Sequence, residues 1–384
     1  MNVPRISFII ATLALATSCA TTPTLAPPAA QTWPAGVAAG DPDDADYVVL
    51  HEARRYLVVN PPSRPGTTTQ QHHRVIKVLT EAGFAEASAH VFVPAKNELL
   101  HFSARTIAPD GTVYDVDPAT VLSDVANIGD DASATRSFQF PRVTVGSVLE
   151  VTTTMSAPWA AWFLFDHVGQ HVPVRHYEVE ILLDRFVVPD VFVNNAKPPL
   201  DYDKNVDGLQ RIHFELNDVE AVKSQSWRPA WRALSPWWSY RAVEWAYPNG
   251  RQPAASTWGR ALNGSMHARL AAYEDVDGLK PLRGHERCAG DSDCIVAAAL
   301  KQLETLEFSG FEDFYECRPL QQVQTSGTAN NHEKALALWK LLTDAGIDAH
   351  IAVTTHDVDV DAAETFPSPI WFDHTLVHLP ATAT

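Results

Sequence analysis

The sequence predicts two domains in tandem, an all-β antiparallel sandwich followed by an α+β domain. Three observations predict this. At 384 residues the chain exceeds what one ordinary hydrophobic core encloses. Residues 46 to about 220 run as short β-branched or alternating stretches separated by Pro, Gly and Asp. From residue 257 onward the apolar spacing turns helical, with strands only near the end.

The first residues stand outside both domains. Met1 to Phe8 carries one positive charge, Arg5; Ile9 to Ala16 is a short apolar run, and Thr17-Ser18-Cys19-Ala20 follows. This pattern predicts a secretory leader over residues 1–20, too short to span a bilayer. The small residues before Cys19 resemble a bacterial lipobox, which predicts lipidation at Cys19, although Ala16 stands where that motif prefers Leu. Cleavage after Ala20 is the rival reading. Residues 21–45, rich in Ala, Pro, Thr and Asp, read as a flexible tether.

The sandwich, residues 46–225, begins with Tyr47 to Val59 and His73 to Thr80. Leu99 to Ile107 and Thr112 to Val116 flank Ala108-Pro109-Asp110-Gly111, a hairpin signal that rests on Pro and Gly backbone preferences. Arg142 to Thr154 is a long strand with Gly146 as a bulge position. His176 to Leu183 and Gln210 to Leu216 complete the set, and the turns between them argue for a sandwich. His72 and His73 would point to opposite faces of a strand, so they do not chelate together. Residues 226–256 hold Trp227, Trp231, Trp237, Trp238 and Trp245 among prolines. They read as a packed connector, with a carbohydrate- or peptide-binding surface as the alternative.

In the second domain, Ser256 caps a helix carrying Trp258, Leu262 and Met266, and Cys294 to Leu306 forms another. A small-residue loop ends at Asn330-Asn331. A helix follows with Ala335, Leu338, Trp339, Leu342 and Ala345 as its buried stripe and Gly346 as its stop. Strands are expected near His350 to Thr354 and Ile370 to Leu379.

The formal net charge of −17 argues against a nucleic-acid partner, because phosphate binding needs a clustered basic surface. Export implies an oxidising compartment. There, Cys288 and Cys294 are close enough to bridge a local loop and leave Cys317 over; Cys294 with Cys317 is the competing pairing. His332, His350, His356 and His378 lack the paired spacing of a metal-binding helix, so no metal or cofactor is expected.

The order of these segments resembles a bacterial arrangement in which an envelope domain of unknown function precedes a transglutaminase-like domain, a relative of papain-type peptidases. In the first half the resemblance rests on Tyr47-Val-Val-Leu-His-Glu52, Ile76-Lys-Val-Leu-Thr-Glu-Ala-Gly83, Thr106-Ile-Ala-Pro-Asp-Gly111, Pro141-Arg-Val-Thr-Val-Gly-Ser-Val-Leu-Glu150 and Pro173-Val174. In the second it rests on Arg318-Pro319-Leu320, Glu333-Lys334-Ala335, Gly346-Ile347-Asp348-Ala349 and Pro367-Ser-Pro-Ile-Trp-Phe-Asp-His374.

The resemblance implies a transglutaminase-like domain over residues 257–384. His374 falls on the family's catalytic histidine and Asn331 on its nucleophile, where the family has Cys. A cysteine there gains thiolate character from the helix dipole and attacks an acyl carbonyl. An asparagine amide does neither, although it can cap the helix. No residue after His374 matches the family's third, imidazole-orienting member, and many relatives run further, so a truncated C-terminus is an open alternative.

The function expected is therefore a non-catalytic, exported envelope protein. It would sit in the periplasm or at the outer membrane of a Gram-negative-type bacterium, touch the membrane through a lipid anchor only, and bind an envelope protein, peptide or glycan. The alternative is a thiol-dependent peptidase or acyl transferase acting through Cys317 and His374. A third reading is a structural relic with an incomplete second sheet.

Overall fold

The computed structural model describes Leu25, Trp33, Gly36 and residues 40–63, 65–94, 96–128, 131–169, 171–206, 208–222, 235–253, 285–309, 318–354 and 374–380. The first body is β throughout, and its centre is β1 (Tyr47–Val59). This strand pairs antiparallel with β2 (Thr67–Val78), from Tyr47 opposite Val78 to Val59 opposite Thr67. On its other side it pairs parallel with β10 (Val174–Leu183), Val49 opposite Val174 and Val58 opposite Leu183.

The eight-stranded sheet continues from β2 through β8 (Val148–Ala157), β4 (Glu98–Ile107) and β5 (Val113–Asp115). From β10 it continues through β13 (Leu209–Val219) to β12 (Asp201–Val206). The expected antiparallel sheet is thus mixed. Alternation locates a strand but does not say which way its partner runs.

Two smaller sheets accompany it. One holds β11 (Val187–Asn194), β14 (Trp237–Tyr247) and β15 (Gly250–Pro253), with β9 (Phe163–His167) also on β14. The other is β3 (Ser88–Val93), β7 (Asp131–Gln139) and β6 (Leu122–Ile128), in the order β3-β7-β6. Their apolar faces close one core with Val58, Ile76, Leu149, Val179 and Ile181 of the large sheet. Trp238 is the hinge of that packing: its ring centroid lies 5.8 Å from Tyr56 and 5.9 Å from Phe214.

The described part of the predicted connector is therefore sheet: Trp237, Trp238 and Trp245 lie on β14, the strand that covers the core. Flanking prolines suggest an irregular stretch, yet Trp237 to Tyr247 carries five aromatic residues in eleven, which suits a half-buried pleated surface. Trp227, Trp231 and Trp258 lie outside the described residues, as does the helix expected after Ser256. The Ala108–Gly111 hairpin is present: Ala108 N–H donates to Thr112 O at 2.8 Å, and Gly111 takes φ +85°.

Part of the predicted tether is tied down. Gly36 N–H donates to Gly146 O at 2.8 Å, Lys77 Nζ meets Asp41 Oδ2 at 2.9 Å, and Trp33 lies 5.2 Å from the ring of His51.

The second body has three described α-helices: α1 (Ser292–Leu303), α2 (Leu320–Ser326) and α3 (Asn331–Asp344). Short parallel strands β16 (Glu307–Phe308) and β17 (Thr328–Ala329) precede α3, and β18 (His350–Thr354) pairs antiparallel with β19 (His374–His378). Its own core gathers Ile295, Ala299, Leu303, Leu320, Leu336, Ala337, Leu341 and Leu342. No described helix is long and apolar enough to cross a membrane.

Candidate functional site

The start of α3 is where the sequence places its chemistry. The N-cap is Asn330, one residue earlier than the expected Asn331. Its side chain accepts from Glu333 N–H at 2.8 Å while Glu333 Oε2 accepts from Asn330 N–H at 3.0 Å, a capping box.

Glu333 is fully buried and its carboxylate is saturated. Oε1 accepts from Arg318 N–H at 2.7 Å and from Arg318 Nε at 2.9 Å, and Oε2 from Arg318 Nη2 at 2.8 Å. Burial alone would raise its pKa; the Arg318 fork and the backbone donors outweigh that and hold it below the usual carboxylate range. Arg318 also donates to Thr328 O at 2.9 Å, so one guanidinium ties the approach loop, β17 and α3 together.

Asn331 is the first residue of α3, half-buried, and His332 beside it is fully buried. His332 Nδ1 lies 2.7 Å from Thr375 Oγ1 on β19. The immediate chain neighbours of Asn331 and His374 are thus hydrogen-bonded to each other, which brings the two predicted positions to one helix–strand junction. The inward face of α3 is rotated from the predicted stripe: His332, Glu333, Leu336, Ala337, Leu341 and Leu342 are buried, while Leu338, Trp339 and Ala345 pack at its margin. Two polar residues take the inner face of the first turn, and a search for apolar periodicity does not count them.

Cys288 and Cys294 are joined by a disulfide, with Cα atoms 5.5 Å apart, which ties the turn before the Asp291 cap to the first turn of α1. This bond removes Cys294 as a thiolate. Cys19 and Cys317, the latter the sulfur of the thiol-enzyme alternative, lie outside the described residues.

A second polar assembly lies between the sheets. On the core face, β1 presents Glu52 and Arg54 in line with Tyr56 and Val58. Arg54 Nε meets Asp166 Oδ2 of β9 at 2.8 Å, and Arg54 Nη2 meets Glu52 Oε1 at 3.1 Å. His72 Nε2 lies 3.0 Å from that same Glu52 oxygen. Tyr177 Oη donates to Asp166 at 3.0 Å and accepts from Trp238 Nε1 at 2.7 Å.

Burial would raise the Glu52 pKa, but His72, Arg54 and Arg74 hold the carboxyl well below its ordinary range; burial pushes His72 down to about 4. His73 points the other way, to Glu150 Oε1 at 2.9 Å. The sequence signal for this assembly was a His-Glu-Ala-Arg run inside an otherwise apolar strand, masked by the bulge at Leu50 that shifts the alternation.

A cavity of about 520 Å³ opens at one end of the large sheet, lined among others by Tyr47, His171, Arg175, Asp218 and Glu220. Arg175 is held there by Asp218 at 3.1 Å and by Gly40 O at 2.6 Å.

The model of a family described as a domain of unknown function with a solved structure, DUF3857, matches residues 64–223, which end before β14. A candidate protease from Parabacteroides distasonis ATCC 8503 has a similar fold. The TM-score is 0.67 at 13% identity, and the alignment covers 86% of this chain and 65% of that one. The chain thus spans less than two thirds of that structure's length. An M1 zinc metallopeptidase from Deinococcus radiodurans aligns with a TM-score of 0.26 at 9% identity, over 59% of this chain and 53% of that one, and carries no weight. No curated protein matches the chain.

Proposed function

We propose that the chain is an exported, lipid-anchored envelope protein whose C-terminal part is a transglutaminase-like domain that binds an envelope peptide, protein or glycan without transforming it. One observation carries this reading: the first residue of α3, where a family nucleophile would stand, is an asparagine amide. The cap before it is closed by Asn330, Glu333 and Arg318. An amide lacks both a dissociable proton in the working range and a nucleophilic lone pair, so no acyl-enzyme can form on it. The junction of α3 with β19 keeps hydrogen-bonding groups in place, which suits recognition.

The test is an assay of the purified chain for amine incorporation into a glutaminyl peptide and for peptide-bond cleavage, with and without iodoacetamide. The expected result is no turnover above the buffer rate. Turnover abolished by iodoacetamide and by Cys317→Ser would overturn the proposal and establish a thiol enzyme instead. Turnover that survives both would overturn it in favour of chemistry on another group.

A further inference from the structure

On the outward face of the large sheet, β10 and β13 bring three metal-ligating side chains together. Glu178 stands directly opposite Glu215 in the ladder, and His213 precedes Glu215 by two positions on the same face. Both carboxylates converge on one ring nitrogen: His213 Nε2 lies 3.2 Å from Glu178 Oε1 and 3.6 Å from Glu215 Oε1. One ligand atom from each residue lies within 4.8 Å of the other two. We propose that Glu178, His213 and Glu215 form a binding site for a divalent transition-metal ion of the zinc type.

The spacing is the first argument. Zinc bonds of about 2.0–2.2 Å to nitrogen and oxygen put tetrahedral ligand atoms about 3.3–3.6 Å apart, so two edges of the triangle need little adjustment. The second argument is charge. Two carboxylates directly opposite each other on neighbouring strands repel.

Elsewhere on this face the sheet neutralises its acids with arginine: Glu180 meets Arg55 at 2.7 Å and Arg211 at 2.8 Å, and Glu150 meets Arg105 at 2.6 Å. Among the described residues no lysine or arginine reaches Glu178 or Glu215 at ion-pair distance; Arg211, held by Glu180 and Asp201, acts on Glu178 only from farther off. A hydrogen bond from His213 to Glu178 explains one contact and leaves Glu215 facing a like charge. A dication satisfies all three groups at once, and the net charge of −17 raises the local concentration of cations.

The donor set, one imidazole and two carboxylates, selects a borderline transition metal over calcium or magnesium, which take oxygen ligands. The ladder fixes the backbone of all three residues. Glu215 is 45% exposed, so the remaining coordination position opens to water.

The experiment is calorimetric titration of the metal-stripped full-length chain with zinc chloride, alongside His213→Ala, Glu178→Gln and Glu215→Gln. Wild type should take up one equivalent that each variant loses or binds roughly a hundredfold more weakly, at least as much as loss of an outer-shell partner costs. Circular dichroism should show all variants folded. Without zinc, Glu215→Gln should melt no lower than wild type, because a like-charge pair is gone, while its zinc-induced rise in Tm disappears. His90→Gln, on an exposed strand outside the site, should bind as wild type does. If wild type takes up no zinc, if His213→Ala binds as wild type does, or if millimolar magnesium displaces the ion, the proposal is wrong.

Discussion

Glu333 shows how one buried carboxylate can tie the start of a helix to the loop that leads into it. It is the third residue of α3, fully buried, and accepts from the Arg318 backbone N–H, Nε and Nη2 and from Asn330 N–H. Glu333→Gln removes the charge and leaves Arg318 facing an amide. The expected loss is about 3 kcal/mol, the low end for breaking a buried pair, because Arg318 remains 20% exposed. Asn330→Ala should cost about 1–2 kcal/mol as a lost N-cap. Asn331→Ala, one residue on and outside the cap, should cost well under 1 kcal/mol. Urea unfolding followed by circular dichroism measures all three. If Asn331→Ala is the most damaging, the assignment of the cap to Asn330 fails. The start of α3 was legible in the sequence, through the small-residue loop ending at Asn330-Asn331 and the helical spacing after it. The cap was not, because Asn330 and Asn331 are chemically identical and only the backbone conformation separates them.

At the scale of the strand, β2 carries neighbouring histidines into different surroundings. His72 sits in the Glu52–Arg54 network; His73 joins His51, His176 and Trp33 on the outward face, where His51 and His176 stack at 5.2 Å. Burial holds His51 at about 4, with His73 and His176 adding to the shift, and burial also holds His72 at about 4, against an ordinary 6.5. The sign follows from proton binding. Between pH 6.5 and 4 the unfolded chain takes up protons that these folded imidazoles refuse, so their stabilisation is complete above 6.5 and is lost as pH falls toward 4.

Thermal melts should therefore fall already between pH 6.5 and 5. The carboxylates held low, Glu52, Glu150, Glu180 and Glu333, add their own losses only in more acid solution. His51→Gln and His72→Gln should flatten the upper part of that profile; an unchanged slope would mean the two rings are not the titrating groups. The opposite facing of His72 and His73 could be read from strand alternation alone. Their partners could not, because Glu52, Glu150 and His176 arrive from strands whose order and direction no local pattern encodes.

At the scale of the whole molecule, the two hydrophobic cores share no residue among the described ones. The boundary of the first body is the practical issue. Composition suggests an end near residue 225, and the matched family region ends at 223. The core nevertheless needs Trp238, Tyr240 and Ala242, all fully buried on β14. A chain cut after residue 253 should melt in one cooperative transition. A chain cut after residue 223 should lose that cover, bind a hydrophobic dye and aggregate. Differential scanning calorimetry and dye fluorescence on the two fragments decide it, and a cooperative melt of the shorter one would show that β14 is dispensable.

The parallel pairing of β1 with β10 also sets a clock. The first strand of the body finds one neighbour at once, through the short link to β2. The other arrives only after Val174 to Leu183 have been made, and its covering layer only with Trp237 to Tyr247. Contacts this distant along the chain close slowly, on the millisecond-to-second scale typical of non-local β topologies. Until Tyr247 has been made, the polypeptide lacks the strand that closes its interior, and folding of the first body must wait for it.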